Sequence, residues 1–226
     1  NDASWVQLGQ DIDGEASDDY SGYSVSLSQD GLKVAVSAMW NPGTTGNYSG
    51  HVRVYQYHDL SWNKLGQDID GEATYDFSGK SVSLSQDGSI VAIGAYGNDG
   101  NGEMSGHVRV YQYLGGSWIK LGGDIDGEAT NDESGWSVSL SQNGSIVAIG
   151  AHYNHGIKGV KSGHVRVYKI NNIYKNLILE ISGTSLIDEI DVSYSLIESI
   201  QIFAGNEIIT YYDYDKNFDN SANTDI

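Results

Sequence analysis

Cysteine is absent from the 226 residues and proline occurs once. Without cysteine there is no disulfide framework, and the redox compartment cannot be read from thiols. No stretch is long and apolar enough to span a membrane as a helix. No segment carries a helical hydrophobic period. Basic residues are scarce: 12 Lys and Arg stand against 30 Asp and Glu, for a formal charge of −18. Such a surface repels phosphate, which excludes nucleic acid as a partner and fits cations or basic partners. The chain begins Asn-Asp-Ala-Ser with no leader pattern, and we read it as a mature product or a segment of something longer.

What is abundant is Gly (29), Tyr (16), Ser, Val and Ile, the composition of short strands joined by tight turns. The organisation is a tandem repeat of about 56 residues started by Trp5, Trp62 and Trp118. Residues 61–95 and 117–151 differ at only 6 of 35 positions. Each unit reads S-W-x-x-L-G-x-D-I-D-G-E-A, then S-G-x-S-V-S-L-S-Q-x-G, then V-A-x-x-A, a variable stretch, and S-G-H-V-R-V-Y. In the first unit this predicts strands at Ser24 to Ser28, Val34 to Ala38, His51 to Tyr57 and Trp62 to Ile69. The Gln29-Asp30-Gly31 step is a hairpin signal. In H-V-R-V-Y the valines face one side, and His, Arg and Tyr the other. V-A-I-G-A reads as buried on both faces. The expected fold is all-β, four-stranded antiparallel blades of a partial or small β-propeller, with a β-solenoid as the rival. The expected units are 4–60, 61–116 and 117–172 within a region 1–172.

At 173–226 the composition shifts, with 2 of the 29 Gly and 11 Ile. Val192 to Gly205 aligns with Val138 to Ala151 at 5 of 14 positions, which suggests a degenerate fourth blade with Glu207 to Asp213 as a following strand. Asp213, Asp215, Asn217 and Asp219 have the spacing of a calcium loop, but Phe218 stands where a Gly is needed, so a frayed acidic end is the better reading. Three blades cannot close a ring, and Ser4 to Ile12 is a fourth-strand sequence able to complete a last blade. Further blades or a partner chain are therefore expected: the chain reads first as an open fragment of a longer array, with a subunit that closes by assembly and a compact four-bladed form as the alternatives.

The pattern from Ser21 to Tyr55, Ser78 to Tyr111 and Ser134 to Tyr168 resembles the FG-GAP repeat of integrin alpha-subunit propellers and related bacterial surface proteins. The resemblance implies the propeller fold and an extracellular or cell-surface recognition role. It departs in two ways. Ser21, Ser78 and Ser134 replace the family's Phe, and the calcium loop between the first two strands is cut to Ser-Gln-Asp-Gly or Ser-Gln-Asn-Gly. One Asp cannot supply the six to eight oxygens that calcium takes.

The acidic motif offers a second cation candidate: Asp11, Asp13 and Glu15; Asp68, Asp70 and Glu72; Asp124, Asp126 and Glu128. Asp19, Asp76 and Asp132 follow them. Clustered oxygens suit calcium. Near-identical copies in each unit favour a turn whose carboxylates cap backbone N–H groups. The cofactor expectation is thus none, with Ca2+ as the alternative. Arg53, Arg109 and Arg166 lie mid-strand and need partners, Glu15, Glu72 and Glu128 first. His51, His107 and His164 sit on separate units and read as scaffold. His152 and His155 form H-x-x-H in a Gly-rich loop that pre-sets no zinc geometry. Trp5, Trp62 and Trp118 read as packing on the outer strand.

Individuality lies in the loops Met39 to Tyr48, Tyr96 to Met104 and His152 to Lys161, between second and third strands. Two tryptophans, Trp40 and Trp136, break the repeat. We take Trp40, Asn41, Tyr48, Tyr96, Asn98, Asp99, Trp136 and Tyr153 as ligand-binding candidates for a protein or carbohydrate. Asn47-Tyr48-Ser49 is a glycosylation sequon. No catalytic signature is present, and repeated acids argue against the single asymmetric pair a glycosidase needs. The sequence thus reads as a recognition or adhesion module and not an enzyme, with a spacer lacking its own ligand as the alternative.

Overall fold

The computed structural model describes residues 3–170, together with the backbone of 177–180, 199–204 and 207–213. The chain divides into two units, Asn1–Asn171 and Asn172–Ile226. Every element among the described residues is a strand.

In the first unit three antiparallel sheets follow one another as blades. The first holds β1 (Val25–Leu27), β2 (Lys33–Ala38), β3 (His51–His58), β4 (Ser61–Lys64) and β5 (Ile69–Asp70). The second repeats it with β6 (Ser81–Leu84), β7 (Ile90–Ala95), β8 (His107–Leu114), β9 (Ser117–Lys120) and β10 (Ile125–Asp126). The third has only β11 (Ser134–Leu140), β12 (Ile146–Ala151) and β13 (His164–Lys169).

The expected fourth strand, Trp62 to Ile69, is not continuous. It pairs with β3 as two pieces, Tyr55 opposite Lys64 and Val52 opposite Ile69. Four residues, Leu65 to Asp68, thus face two, Arg53 and Val54. Gly66, at φ +75°, turns the backbone out, and the Leu65 amide reaches back to the Val54 carbonyl at 2.7 Å. The excursion places Asp68 beside Arg53.

Register gives each blade two faces. In the first, Val25, Val36 and Arg53 are cross-strand neighbours on one face, while Ser26, Ala35 and Val54 share the other. The second face is covered by the next blade. Ala35, Val52, Val54, Val82, Leu84, Val91, Ile93 and Trp118 form one buried cluster across the first and second blades. At about 25 cal/mol per Å² of apolar surface, this seam is the main source of cohesion. Gly94 is indispensable to the next seam, because a Cβ there would run into the Gly135 carbonyl of the third blade. Backbone bonds at the inner turns continue across seams, from the Gln29 amide to the Gln86 carbonyl (2.8 Å) and from the Gln86 amide to the Gln142 carbonyl (2.7 Å).

Two expectations change at the ends of this stack. Trp118 is 3% exposed, but Trp5 is fully exposed, because no blade among the described residues lies on its outer side. Ile90–Ala95 is buried on both faces, whereas Ile146–Ala151 alternates, because no blade among residues 3–170 covers the far face of the third.

In the second unit, β14 (Leu177–Glu180) runs parallel to β15 (Ser199–Ala204), which is antiparallel to β16 (Glu207–Asp213). Glu207 to Asp213 is a strand, as expected. The parallel pair differs from a blade of this repeat, where all pairings are antiparallel. Val192 to Glu198 and the acidic run Asp215 to Asp219 lie outside the described residues.

Candidate functional site

Two sets of side chains recur in the candidates: charged groups inside the seams and aromatic groups on the loop face.

The charged set starts from Arg53 on β3. It pairs with Glu15 from the turn before its blade, and its Nε and Nη2 donate to Asp68 from the turn after it, at 3.0 and 2.8 Å. Arg109 repeats this with Glu72 and with Asp124, at 3.0 and 3.2 Å. Arg166 stands 3.7 Å from Glu128, and its Nη2 donates to the Asp126 carbonyl. The Arg–Glu pairing expected from sequence is present, and the second carboxylate on Arg53 and Arg109 is an addition to it. Lys64 and Lys120 add a second cation to Asp68 and Asp124 at 2.8 and 2.9 Å.

These contacts set the electrostatics. Burial would raise the Asp68 carboxyl, but hydrogen bonds from Arg53 and Lys64 outweigh it and hold the group down to about 2. Asp124 is lowered in the same way against its burial, by Lys120 and Arg109. His51 and His107 are buried, and burial pushes both imidazoles below their ordinary value of 6.5.

Glu15, His51 and Asp68 bring ligand atoms within 4.8 Å of one another, as do Glu72, His107 and Asp124, so each group could hold a metal ion by distance. The same carboxylates already carry a guanidinium. Several of the remaining acids are engaged elsewhere. Asp70 accepts from the Thr44 hydroxyl at 2.8 Å, and Asp11 from Gln7 at 2.8 Å. Asp13 and Asp126 are exposed. Asp19, Asp76 and Asp132 cap the amides of Ala16, Ala73 and Ala129.

The shortened loop between first and second strands fits calcium poorly for a reason visible in its bonds. Asp30 accepts from the Ser28 hydroxyl (2.6 Å) and the Leu32 amide (2.9 Å), and Asp87 does likewise with Ser85 and Ser89. In the third blade Asn143 makes the same bonds to Ser141 and Ser145. A neutral amide serving in the carboxylate's place shows that the turn needs an acceptor and no negative charge.

On the loop face the candidates separate into two kinds. Asn41 and Asn98 are buried. Their amides donate to Asp19 and Asp76 (2.9 and 3.3 Å), and their carbonyls accept from Gly43 and Gly100. Asn154 does the same with Asp132 at 2.8 Å. Both ends of each amide are thus engaged in pinning its loop. Asp99 holds its own loop through the Met104 amide.

The aromatic candidates come together. Ring contacts run from Tyr20 to Trp40 (4.9 Å), to Tyr48 (5.4 Å), to Phe77 (6.2 Å), to Tyr96 (5.1 Å), to Trp136 (5.2 Å), to His152 (4.2 Å) and to Tyr153 (4.1 Å). The ribbon crosses all three blades. Trp40 and Trp136 are each 37% exposed. Sequence reading missed Tyr20 and Phe77 and took His152 only as part of H-x-x-H, because each belongs to a turn that aligns with a non-aromatic residue in another repeat. The signal available was the set of repeat-breaking positions itself. Tyr20, Tyr48, Tyr75 and Phe77 hold positive φ of 53° to 68°, and so do their aligned positions Asn131 and Glu133. The conformation belongs to the turn, and the aromatic identity is what varies. At one end Lys80 Nζ lies 3.7 Å over the Trp136 ring, and Lys161 Nζ 4.1 Å over Tyr153. Glu133 stands 3.8 Å from His152, and burial pushes its carboxyl up.

No curated protein matches this chain. Among solved structures it is similar to one described as a 6-phosphogluconolactonase of Bacteroides uniformis, at 16% identity and TM-score 0.43, over 64% of this chain and 35% of that one. It is also similar to the hydrazine synthase of Kuenenia stuttgartiensis (10%, TM-score 0.42, 74% and 36%) and to the periplasmic gluconolactonase of Pseudomonas aeruginosa (16%, TM-score 0.39, 65% and 38%). The chain spans little more than a third of these proteins, and likeness at this level carries no activity across. The FG-GAP repeat model matches at two places, in register with the second and third blades. The matched segments are residues 69–111 and 125–168, consistent with an FG-GAP-like repeat family.

Proposed function

We propose that this chain is a recognition or adhesion module of the extracellular space or cell surface, binding a protein or glycan through the aromatic ribbon, and that it is not an enzyme. The observation that carries this reading is the convergence of non-repeated aromatics. Trp40, Tyr48, Tyr96 and Trp136 occupy different positions of the repeat, yet their rings join one surface. Scaffold residues recur in each blade, whereas a site for one ligand breaks that symmetry. Rings of this kind supply large contact area at low entropic cost. No helix among the described residues is long and apolar enough to cross a membrane.

The charge of −18 favours neutral or basic ligands. The seam carboxylates act as counter-ions to arginine in this reading, and calcium has no part in it. Screening glycan and protein arrays tests it. A ligand found in the screen should lose about tenfold or more in affinity with Trp40→Ala plus Trp136→Ala, with the unfolding midpoint unchanged. Binding that survives this change overturns the ribbon as the site. An array with no ligand favours the spacer reading.

A further inference from the structure

The two ends of the three-blade stack are halves of one blade, and we propose that they join a second copy of this chain head to tail, residues 4–13 of one copy adding as the outer strand of the other's third blade.

Residues 4–13, S-W-V-Q-L-G-Q-D-I-D, repeat the sequence of β4–β5 and of β9–β10. They already sit beside the first blade as those strands sit beside the next. Trp62 Nε1 donates to the Leu8 carbonyl (2.8 Å) and Gln10 bonds the Trp62 carbonyl (3.4 Å). Trp118 Nε1 donates likewise to the Leu65 carbonyl (2.7 Å), and Gln67 bonds the Trp118 carbonyl (2.9 Å). What this segment lacks is a sheet of its own. The third blade lacks the converse, having β11–β13 and no outer strand among the described residues.

The vacancy has a chemical mark. Arg53 Nε and Arg109 Nε each donate to the Asp of the following turn, at 3.0 Å. Arg166 Nε is buried with no hydrogen-bond partner among the described residues. Asp11 aligns with Asp68 and Asp124, and it is exposed. Copying the register of β8 with β9 and β10 puts Gln7 opposite Tyr168, Ile12 opposite Val165 and Asp13 opposite His164, and brings Asp11 to Arg166. His164 Nε2, also buried and unpartnered, lies at this same edge.

The apolar faces match as well. Val25 (60% exposed) and Leu27 (59%) align with Val82 and Leu84, which the first blade buries. Val165 (67%) and Val167 (65%) align with Val108 and Val110, which the third blade buries. A cleft of about 750 Å³ by Glu128, Thr130, Asn154, His155, Ser162 and His164 opens on this end. In the earlier blades this space receives the next Asp-Gly turn, as when Asn101 donates to the Gly127 carbonyl at 2.9 Å. Asp13-Gly14 of the second copy would enter it, with Lys158 in the place of Thr45. The inner ladder would continue from the Gln142 amide to the second copy's Gln29 carbonyl. Each blade-to-blade seam in the chain is thus a template for the contact, and strand addition of this kind is a common recognition mode. The interface is heterologous, so repeated addition of this kind can close a ring.

The absence of cysteine makes a clean test. Chains carrying Gln7→Cys alone and Tyr168→Cys alone are mixed and oxidised; directly opposed strand residues are close enough for a disulfide. The expected product is the mixed covalent dimer, together with a concentration-dependent dimer of the native chain in sedimentation. Asp11→Asn, at an exposed carboxylate, should leave the chain folded and weaken dimerisation about tenfold or more. A native chain that stays monomeric at tens of micromolar with no mixed disulfide overturns the proposal. So does a dimer indifferent to Asp11→Asn that gives no mixed disulfide.

Discussion

Replacing Arg109 by Met should destabilise the blade unit by about 2–3 kcal/mol, and the figure follows from its surroundings. The side chain is 9% exposed and joins Glu72 of one turn to Asp124 of the next. Removing it leaves two converging carboxylates without their shared cation. Breaking a buried ion pair costs about 3–5 kcal/mol. Here the cost is smaller, because Glu72 is 45% and Asp124 23% exposed, so both rehydrate, and Lys120 stays on Asp124. Discounting for that solvent screening gives about 2–3 kcal/mol, or roughly 5–10 °C in the unfolding midpoint of a unit this size. Urea denaturation followed by tryptophan fluorescence measures it. Arg109→Lys should fall between the two, since it keeps the charge and loses the two-pronged geometry. In a double-mutant cycle with Asp124→Asn, the coupling should account for much of the loss. A change below about 0.5 kcal/mol for Arg109→Met, the range of ordinary surface substitutions, would refute the view that these pairs fasten one repeat to the next.

Stability should fall in two steps as pH is lowered. His51 and His107 have folded values below 6.5, so their contribution is complete above that pH and is lost as pH falls through it; Asp68, held at about 2 against an ordinary 3.8, keeps its contribution above roughly pH 4 and loses it between there and pH 2. A melting temperature flat from pH 7 to pH 3 would contradict both. Saturating calcium should leave the melting temperature unchanged, and Asp30→Asn with Asp87→Asn should cost no more than about 0.5 kcal/mol, because Asn143 already does that work in the third blade. A calcium-dependent rise in melting temperature would restore the metal reading.

The architecture was legible because the repeat multiplies every local signal threefold. The strand alternation of H-V-R-V-Y, the Gln-Asp-Gly turn and the near identity of 61–95 with 117–151 point to the same blade. The break in the fourth strand was not legible, since L-G-x-D-I-D alternates well enough to pass as one strand. Only the pairing of both halves with β3 shows that Gly66 throws the chain outward. The Arg–Glu pairing could be argued from the need of a buried cation for a partner. The Asp68 and Asp124 contacts could not, because they depend on that excursion. The loop candidates divided for a similar reason. Asn41 and Asn98 stood in stretches that looked variable, yet Asn41, Asn98 and Asn154 each lie three residues after the alanine of V-A-x-x-A and occupy one structural position, obscured by the unlike residues around them. The aromatics could be singled out one by one, but their union across blades is a fact of three dimensions.

A repeat protein of this kind separates its tasks by symmetry. Each blade leaves one face, one strand edge and one arginine to be completed by its neighbour, so recurring residues answer to the seam. Asp68 completes Arg53 and Asp124 completes Arg109, and neither could take up a ligand without loosening two blades at once. Substitutions at those positions should therefore register first in stability. The loop ribbon is under no such obligation: Tyr48, Met104 and Lys161 share one backbone geometry at φ 50° to 57° and carry three unrelated side chains. A turn that tolerates an aromatic, a thioether and a cation in the same conformation can be changed for recognition at little cost to the fold. The same logic bears on the exposed apolar faces at Val25 and Leu27 and at Val165 and Val167, because a seam that is strong between blades is an adhesive surface wherever a blade face is left open.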